Sequence, residues 1–513
     1  MQSTSKQQFT RPLKLAHLNE TISKEKALET LRNIFQIKDF RDGQWEVIDA
    51  LINRKKKLLL VEKTGYGKSL CFQLPAVFLP GLTIVFSPLI ALMRDQVKKL
   101  NDIGISAATF NSGNTADEKN DAILQIKNRT LELVYIAPER LEKEDWFEIE
   151  KWAYISMVVI DEAHCISTWG HDFRPNYRFF LPFIKQNQYF NSIPILALTA
   201  TANKEVQDDI KKQIGEDLEV IQRSLTRNNL YLSVNEIGWD KSKKESFNEK
   251  IDWLDQFFQF RQIKRSQYFG IIYTGTRKDT EKYALHFQKL GYNTDFYHAG
   301  IGEHAEDKSK RQELELKVMN NQLDFIFSTN ALGMGIDKPD IRFIIHTQFP
   351  GSPIAYYQEV GRAGRDGNPS EIYLLADVIH DKALQEYFIS ISAPEIEFYV
   401  LIFERLLKDS ASKIDLIKTI INTVSHRIRK NDYTEKEVAR KIVSCVLADL
   451  IEQKLVEKNG ENFYVKNKDS YFNRLQITDI SNRKKNHLED IVQYIHSQGC
   501  RMQYLLGLRV HHY

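Results

Sequence analysis

Thr64-Gly65-Tyr66-Gly67-Lys68-Ser69, behind the apolar run Leu58-Leu59-Leu60-Val61, is the stretch on which the reading of the fold turns. Four consecutive apolar residues read as a strand buried on both faces. The glycines after them let backbone N–H groups turn inward around phosphates at the start of a helix. A second apolar run, Met157-Val158-Val159-Ile160, ends on Asp161-Glu162-Ala163-His164. Together the two pieces make a candidate nucleotide-hydrolysing site. Thr64, Gly65 and Gly67 shape the loop, Lys68 reaches the terminal phosphates, Ser69 and Asp161 hold Mg2+, and Glu162 serves the attacking water. Glu62 replaces the first glycine of the strict G-x-x-x-x-G-K-S pattern.

Working outward, short apolar segments recur at 83–87, 133–136, 157–160 and 195–198, separated by helix-length polar-apolar stretches. That alternation predicts a doubly wound parallel sheet. A polar, lysine-rich stretch at 235–250 has little to bury, and after it the pattern resumes at 269–273, 294–297, 325–328, 343–346 and 372–375. Two similar α/β lobes are expected. Past residue 377 the strands stop, and 395–407 and 413–428 carry apolar residues at helical spacing. Val438, Ile442, Val446 and Leu450 repeat every four residues, and Leu455-Val456 and Phe463-Tyr464 then flank Asn459-Gly460. A helix followed by a tight hairpin suggests a winged-helix-like region, with a helical packing domain bearing one surface hairpin as the alternative.

The boundaries so drawn are a polar extension at 1–22, a first lobe at 23–222, a second at 223–380, a helical region at 381–480 and a terminal piece at 481–513. Of 513 residues, 42% are hydrophobic and 27% charged, and no apolar run is long enough to span a bilayer. The start lacks a secretory pattern, so a cytoplasmic location and no membrane role are expected. Four scattered cysteines argue for reduced thiols rather than a disulfide framework. With a net charge of only +3, any nucleic-acid surface is a local patch.

Read in order, Phe40-Arg41-Asp42-Gly43-Gln44, Phe86-Ser87-Pro88-Leu89-Ile90, Ile136-Ala137-Pro138-Glu139-Arg140-Leu141, Leu198-Thr199-Ala200-Thr201-Ala202, Leu332-Gly333-Met334-Gly335-Ile336 and the run from Tyr357 to Gly367 follow the motif series of superfamily 2 helicases. The set closely resembles the RecQ family over roughly residues 25–375. Its most family-specific part is Cys165-Ile166-Ser167-Thr168-Trp169-Gly170-His171-Asp172-Phe173-Arg174-Pro175. The resemblance implies two RecA-like lobes and an ATP-dependent DNA helicase that moves 3′-to-5′ on single-stranded DNA and opens partial duplexes in recombination and repair. A translocase or RNA helicase that does not open DNA duplexes is the second reading, and a non-catalytic, ATP-bound nucleic-acid clamp the third.

Trp169 and Phe173 offer ring faces to unpaired bases, and His171 and Arg174 add polar and cationic contacts. In the family this loop couples DNA to hydrolysis. Arg362 and Arg365, three apart on one helical face, are placed to neutralise charge on the transferred phosphate, with Gln358 as its sensor by analogy. Gln44 suits an adenine edge, or a simple contact at a helix start, and Arg41 can stack on the base. By resemblance, Pro88, Arg94, Arg140, Thr274, Arg277, His298 and Thr329 lie along a single-strand path. The chain departs from the family at Ile37, where an aromatic residue is usual, and at Asp42 and Asn228, where proline is. Gly499-Cys500-Arg501-Met502 resembles the start of the family's four-cysteine zinc module, but no further cysteine follows. Zinc is not expected; His511 and His512 are the remaining candidate partners for Cys500.

Overall fold

The computed structural model describes residues 21–507 apart from 89, 112, 141–143, 168–191, 203, 239, 266–267, 299, 302–307, 334–337, 428–433, 460 and 467–473. The chain divides into two compact units, Met1–Leu225 and Thr226–Tyr513.

The first unit is built on a seven-stranded sheet in the order β3-β4-β2-β5-β6-β1-β7. The strands are β1 (Lys57–Val61), β2 (Leu82–Phe86), β3 (Ala107–Phe110), β4 (Leu133–Ile136), β5 (Ile155–Ile160), β6 (Ile195–Thr199) and β7 (Glu219–Gln222), and every pairing is parallel. β1, β2, β5 and β6 are buried at every residue. Burial of successive residues, which point to opposite faces, is why these strands read as unbroken apolar runs rather than alternating ones. β7 is largely exposed, as suits an edge strand.

The second unit carries a six-stranded sheet in the order β10-β11-β9-β12-β13-β8. It comprises β8 (Leu230–Glu236), β9 (Phe269–Tyr273), β10 (Thr294–Tyr297), β11 (Phe325–Ser328), β12 (Ile341–His346) and β13 (Ser370–Ala376), again all parallel. Its core is aromatic: Phe258 stacks on Phe325 with ring centroids 4.2 Å apart, and Phe287 lies against Phe327 at 5.7 Å. The polar stretch at 235–250, expected to have little to bury, is part of a strand and a helix. Asn235 and Glu236 complete β8 against β13, and Ser242 and Glu245 form a capping box that starts the helix Lys243–Phe260. On that helix Lys250 is buried and donates to Thr347 O at 2.5 Å and Asp381 Oδ1 at 3.2 Å.

Past β13 the same unit turns helical. Helices Ile396–Lys408, Lys413–Arg427 and Glu435–Glu452 bury a shared core in which Val438, Ile442, Val446 and Leu450 are at most 1% exposed. The expected hairpin follows, β15 (Val456–Asn459) antiparallel to β16 (Asn462–Val465), and β14 (Ala411–Ser412) adds a third strand beside β16. Helices Arg474–His496 and Arg501–Gly507 complete the described chain. None of the described helices is long and apolar enough to cross a membrane.

Candidate functional site

Strands β5, β6 and β1 are neighbours and parallel, so the residues that follow them leave at one edge of the sheet. Glu62 N donates to Thr199 O at 3.0 Å and ties the loop after β1 to the end of β6. Within the loop Gly65 and Gly67 adopt φ of +78° and +89°, where a side chain is strained, and a Cβ on Gly67 would approach Gln44 Nε2 to 2.9 Å. Lys68 Nζ donates to the carbonyls of Glu62 (2.8 Å) and Lys63 (3.1 Å), so the cation lies across its own loop beside Thr64. Ser69 stands before the helix Leu70–Phe78, and among the described residues its side chain makes no capping bond.

At the end of β5, Asp161 Oδ2 accepts from Ser87 Oγ at 3.1 Å. Burial, reinforced by the neighbouring Glu162 carboxylate, pushes the Asp161 carboxyl up to about 7. A carboxylate this costly to ionise, next to a second carboxylate, suits a hard divalent cation, whose charge offsets that cost. Asp161 therefore fits a place beside Mg2+, and the Ser69 hydroxyl, expected as its second ligand, is not used in capping. Glu162 sits in the left-handed region (φ +49°, ψ +48°). Its partner is a residue that sequence reasoning passed over: His164 Nδ1 lies 3.3 Å from Glu162 Oε2 and 3.1 Å from Thr199 Oγ1. Burial disfavours the imidazolium, but the Cys165 sulfur and the Glu162 carboxylate outweigh it and raise the His164 titration. Thr199 Oγ1 in turn accepts from Thr201 N at 3.0 Å, so one chain of contacts joins Glu162 to Thr199-Ala200-Thr201.

The segment expected to meet the base is tied to the same loop. Gln44 is 2% exposed; its Oε1 accepts from Arg41 N at 2.8 Å and its Nε2 donates to the carbonyls of Tyr66 and Gly67, each at 3.3 Å. Both ends of the amide are thus engaged within the protein, in keeping with the helix-start alternative. Arg41 is exposed and its guanidinium bonds to Gly65 O. Tyr66 Oη donates to Asp42 O at 2.7 Å. Arg223, also missed from sequence, grips this segment through Asp42 (2.6 Å) and Glu46 (2.8 Å).

The other half of the edge holds the residues assigned to a nucleic-acid path. Pro88 follows β2 and Arg140 follows β4, while Arg94, on the helix Ile90–Asp102, reaches Gly113 beyond β3. In the order β3-β4-β2-β5-β6-β1 these three gather at the first three strands and the residues assigned to hydrolysis at the last three. Trp169, His171, Phe173 and Arg174 lie outside the described residues.

The second unit repeats the division. Thr274, His298 and Thr329 follow β9, β10 and β11, three neighbouring strands. Thr274 N donates to Ser328 O at 2.8 Å and Thr329 N to Tyr297 O at 3.1 Å; His298 Nε2 lies 3.0 Å from Glu281 Oε1. Arg277 begins the helix Arg277–Lys289 and borders Gly300. After β12 comes the helix Pro353–Val360 with Gln358, then the two arginines. Here the structure corrects the expectation: Arg362 and Arg365 do not share a helical face. The helix ends at Gly361, and Gly364 (φ +56°) and Gly367 (φ +88°) bend the chain beyond it into a turn. Arg227 holds that turn from beneath. Its guanidinium donates to Gly361 O (3.2 Å), Ala363 O (2.8 Å) and Gly364 O (2.7 Å), while Asn229 Nδ2 donates to Gly364 O (2.8 Å) and Asn368 O (2.9 Å).

Comparison with known proteins matches residues 41–209 to the DEAD/DEAH box helicase family and residues 249–367 to the helicase conserved C-terminal domain. The chain is 38% identical over 351 residues to the ATP-dependent DNA helicase RecQ of Bacillus subtilis, covering 68% of this chain and 56% of that protein. To the probable ATP-dependent DNA helicase RecS of the same organism it is 37% identical over 391 residues, covering 74% of this chain and 73% of that protein. It belongs to the RecQ family. It spans about half the length of the RecQ proteins of Bacillus subtilis (56%) and Haemophilus influenzae (54%). Among solved structures, the DUF1998 helicase MrfA bound to DNA aligns with a TM-score of 0.56 at 19% identity, covering 90% of this chain and 64% of that one. The DEAD-box helicase Mss116 bound to ssRNA aligns at 0.56 and 16% identity, covering 84% and 92%. These two share the fold.

Within this RecQ-family chain the departures have local explanations. Glu62 lies outside the left-handed region, so its side chain costs the loop no backbone strain; what the loop uses is its carbonyl, which accepts Lys68. Its own carboxyl is buried and titrates above the usual range for that reason. Asp42 is paired with Arg223. Ile37 and Asn228 are exposed. Cys500 is exposed too, and among the described residues no three His, Cys, Asp or Glu side chains gather as a metal site. His511 and His512 lie outside the described residues.

Proposed function

We propose that this chain is an ATP-hydrolysing DNA helicase that moves 3′-to-5′ along single-stranded DNA and opens partial duplexes in recombination and repair. The observation that carries this is the split edge of the first sheet: Lys68, Asp161, Glu162 and Thr199 on β1, β5 and β6, and Pro88, Arg94 and Arg140 on β2 to β4. Ligands of open α/β sheets bind at the carboxyl ends of the strands, so one edge serves both nucleotide and nucleic acid.

Lys68 exchanges its two loop carbonyls for phosphate oxygens, which supply a stronger, charged acceptor. Ser69 and Asp161 would hold Mg2+, whose charge would offset that of the phosphates. Glu162, oriented by His164, positions the attacking water and takes its proton. Arg362 and Arg365 neutralise charge on the transferred phosphoryl group, with Gln358 sensing it. Arg41 stacks on the base, and Gln44 fixes the segment that presents it. Arg277, Thr274, His298 and Thr329 join the first unit's basic residues as contacts to the DNA backbone, giving affinity without sequence preference and a steep loss with salt. Trp169 and Phe173 stack on unpaired bases, with His171 and Arg174 beside them, and report strand occupancy to the hydrolytic carboxylates.

Steady-state ATP hydrolysis with no nucleic acid, single-stranded DNA or RNA, followed by strand separation on a 3′-tailed duplex, tests the proposal. Stimulation by DNA together with separation is expected. Stimulation by RNA alone, or hydrolysis without separation, selects the second reading; binding without hydrolysis selects the clamp.

A further inference from the structure

The helix Pro353–Val360 is eight residues long, and a helix so short draws its stability from tertiary packing rather than from its own hydrogen bonds. It leads directly into the arginine turn, so what packs on it bears on where Arg362 and Arg365 point. Tyr356, fully buried on this helix, touches two aromatic rings. One is His346 at the end of β12, edge-on at 4.9 Å, which also places Nε2 2.8 Å from Glu359 Oε2 and stacks on Tyr273 at 5.0 Å. The Tyr273 phenol is buried within electrostatic reach of Arg362 and Arg365. The other ring is Tyr494, at 5.4 Å, from the C-terminal helix Arg474–His496.

Tyr494 is itself held firmly. It is fully buried, with the Arg501 guanidinium 5.3 Å from its ring centre and the Tyr504 ring 5.7 Å away. Arg501 Nη1 also donates to Ile495 O at 3.1 Å and Ser497 Oγ at 2.9 Å, closing the end of the helix with a cation, the charge that terminus favours. Further along, Lys382 to Glu489 (2.6 Å), Lys484 to Ser392 O (3.0 Å) and His496 to Glu236 (3.3 Å) pin the same helix to the rest of the second unit. A continuous run of packed groups therefore links Arg501 and Tyr494, through Tyr356 and His346, to Tyr273 within electrostatic reach of the arginines.

We propose that the C-terminal helix pair braces the arginine turn, with Tyr494 a positioning residue for ATP hydrolysis acting through Tyr356. This rests on the hydrolytic role proposed above for Arg362 and Arg365. Packing for stability alone is the competing account, and it predicts no selective effect on turnover.

The test compares Tyr494→Ala and Tyr494→Phe in the full chain, measuring ATP turnover with single-stranded DNA and hydrogen exchange of the amides at 353–366. For Tyr494→Ala we expect kcat to fall about tenfold with KM for ATP within about twofold, because the phosphate loop is in the other unit, and exchange at 353–366 to quicken. Tyr494→Phe keeps the ring and should restore both. If Tyr494→Ala does not fold, Arg501→Gln, which loosens the ring's support without emptying its site, should show the same pattern at smaller amplitude. Unchanged exchange in a folded Tyr494→Ala or Arg501→Gln chain overturns the brace, and faster exchange with unchanged kcat overturns the positioning role. A parent chain that hydrolyses no ATP overturns the enzymatic reading instead, and the exchange data still decide the brace.

Discussion

Replacing Arg227 with lysine probes how far turnover depends on the shape of the arginine turn. Arg227 is 6% exposed and spreads one guanidinium over the carbonyls of Gly361, Ala363 and Gly364. A planar fork reaches three acceptors at once; a lysine ammonium at the same site reaches about one. Two charge-assisted hydrogen bonds are lost, each worth about 1.5 kcal/mol at the lower end of its range, giving about 3 kcal/mol. If all of it is expressed as opening of the turn, the correctly set population falls by about 100-fold, since each 1.4 kcal/mol is a factor of ten. We expect kcat with saturating single-stranded DNA to drop between 10- and 100-fold and KM for ATP to stay within about twofold. Steady-state hydrolysis gives both constants, and a urea unfolding curve establishes that the variant is folded. A folded Arg227→Lys chain within about threefold of the parental kcat breaks the link between turn and turnover, because three buried bonds would then hold nothing that hydrolysis needs.

Three further outcomes are expected. Glu162→Gln should lower hydrolysis by at least about 100-fold and leave nucleotide binding near parental, measured with a fluorescent ATP analogue; parental hydrolysis removes Glu162 from its role. Asp161 titrates at about 7 in the folded chain, against a usual carboxylate value near 4. Between those two values the folded form holds a proton that the unfolded form has released, so rising pH costs ligand-free stability across that window. The thermal shift on adding Mg2+ and nucleotide should therefore grow from pH 6 to pH 8, and Asp161→Asn should flatten both trends; equal slopes in the two proteins would rule Asp161 out as their source. Tyr66→Phe removes the 2.7 Å bond to Asp42 O, worth about 1 kcal/mol, and should raise KM for ATP about fivefold at constant kcat in steady-state assays.

The central strands of both sheets were legible in the sequence because they are buried along their length, and such strands announce themselves as apolar runs. The edge strands β3, β7 and β8 and the start of the helix Lys243–Phe260 were not, because none of them is an unbroken apolar run. Ser242 and Glu245 cap a helix start, and Lys250 is an interior cation with its own acceptors. The glycine loop after β1 and the Asp161-Glu162 pair at the end of β5 stand out from local order alone, and the structure places both at one edge of the sheet. His164, Arg223 and Arg227 act on residues 35, 181 and 134 positions away, as in their contacts with Thr199, Asp42 and Gly361, and no local pattern carries such pairings. The helical spacing of Arg362 and Arg365 misled because three-residue spacing is also that of a turn, and the glycines around them decide in favour of the turn.

The division of the first sheet has a consequence for how two ligands on one edge can influence each other. The β2–β5 boundary separates the strands assigned to nucleic acid from those assigned to ATP, and the side-chain hydrogen bond from Ser87 Oγ to Asp161 Oδ2 crosses it at the functional end. A bond from a neutral donor to a carboxylate is worth about 1.5–3 kcal/mol. Making or breaking that one bond can alter affinity at one half on occupancy of the other by roughly 10- to 150-fold, and by the same factor in both directions. The seam thus acts as a two-way relay: whatever the strand does to the nucleotide through this bond, the nucleotide does equally to the strand.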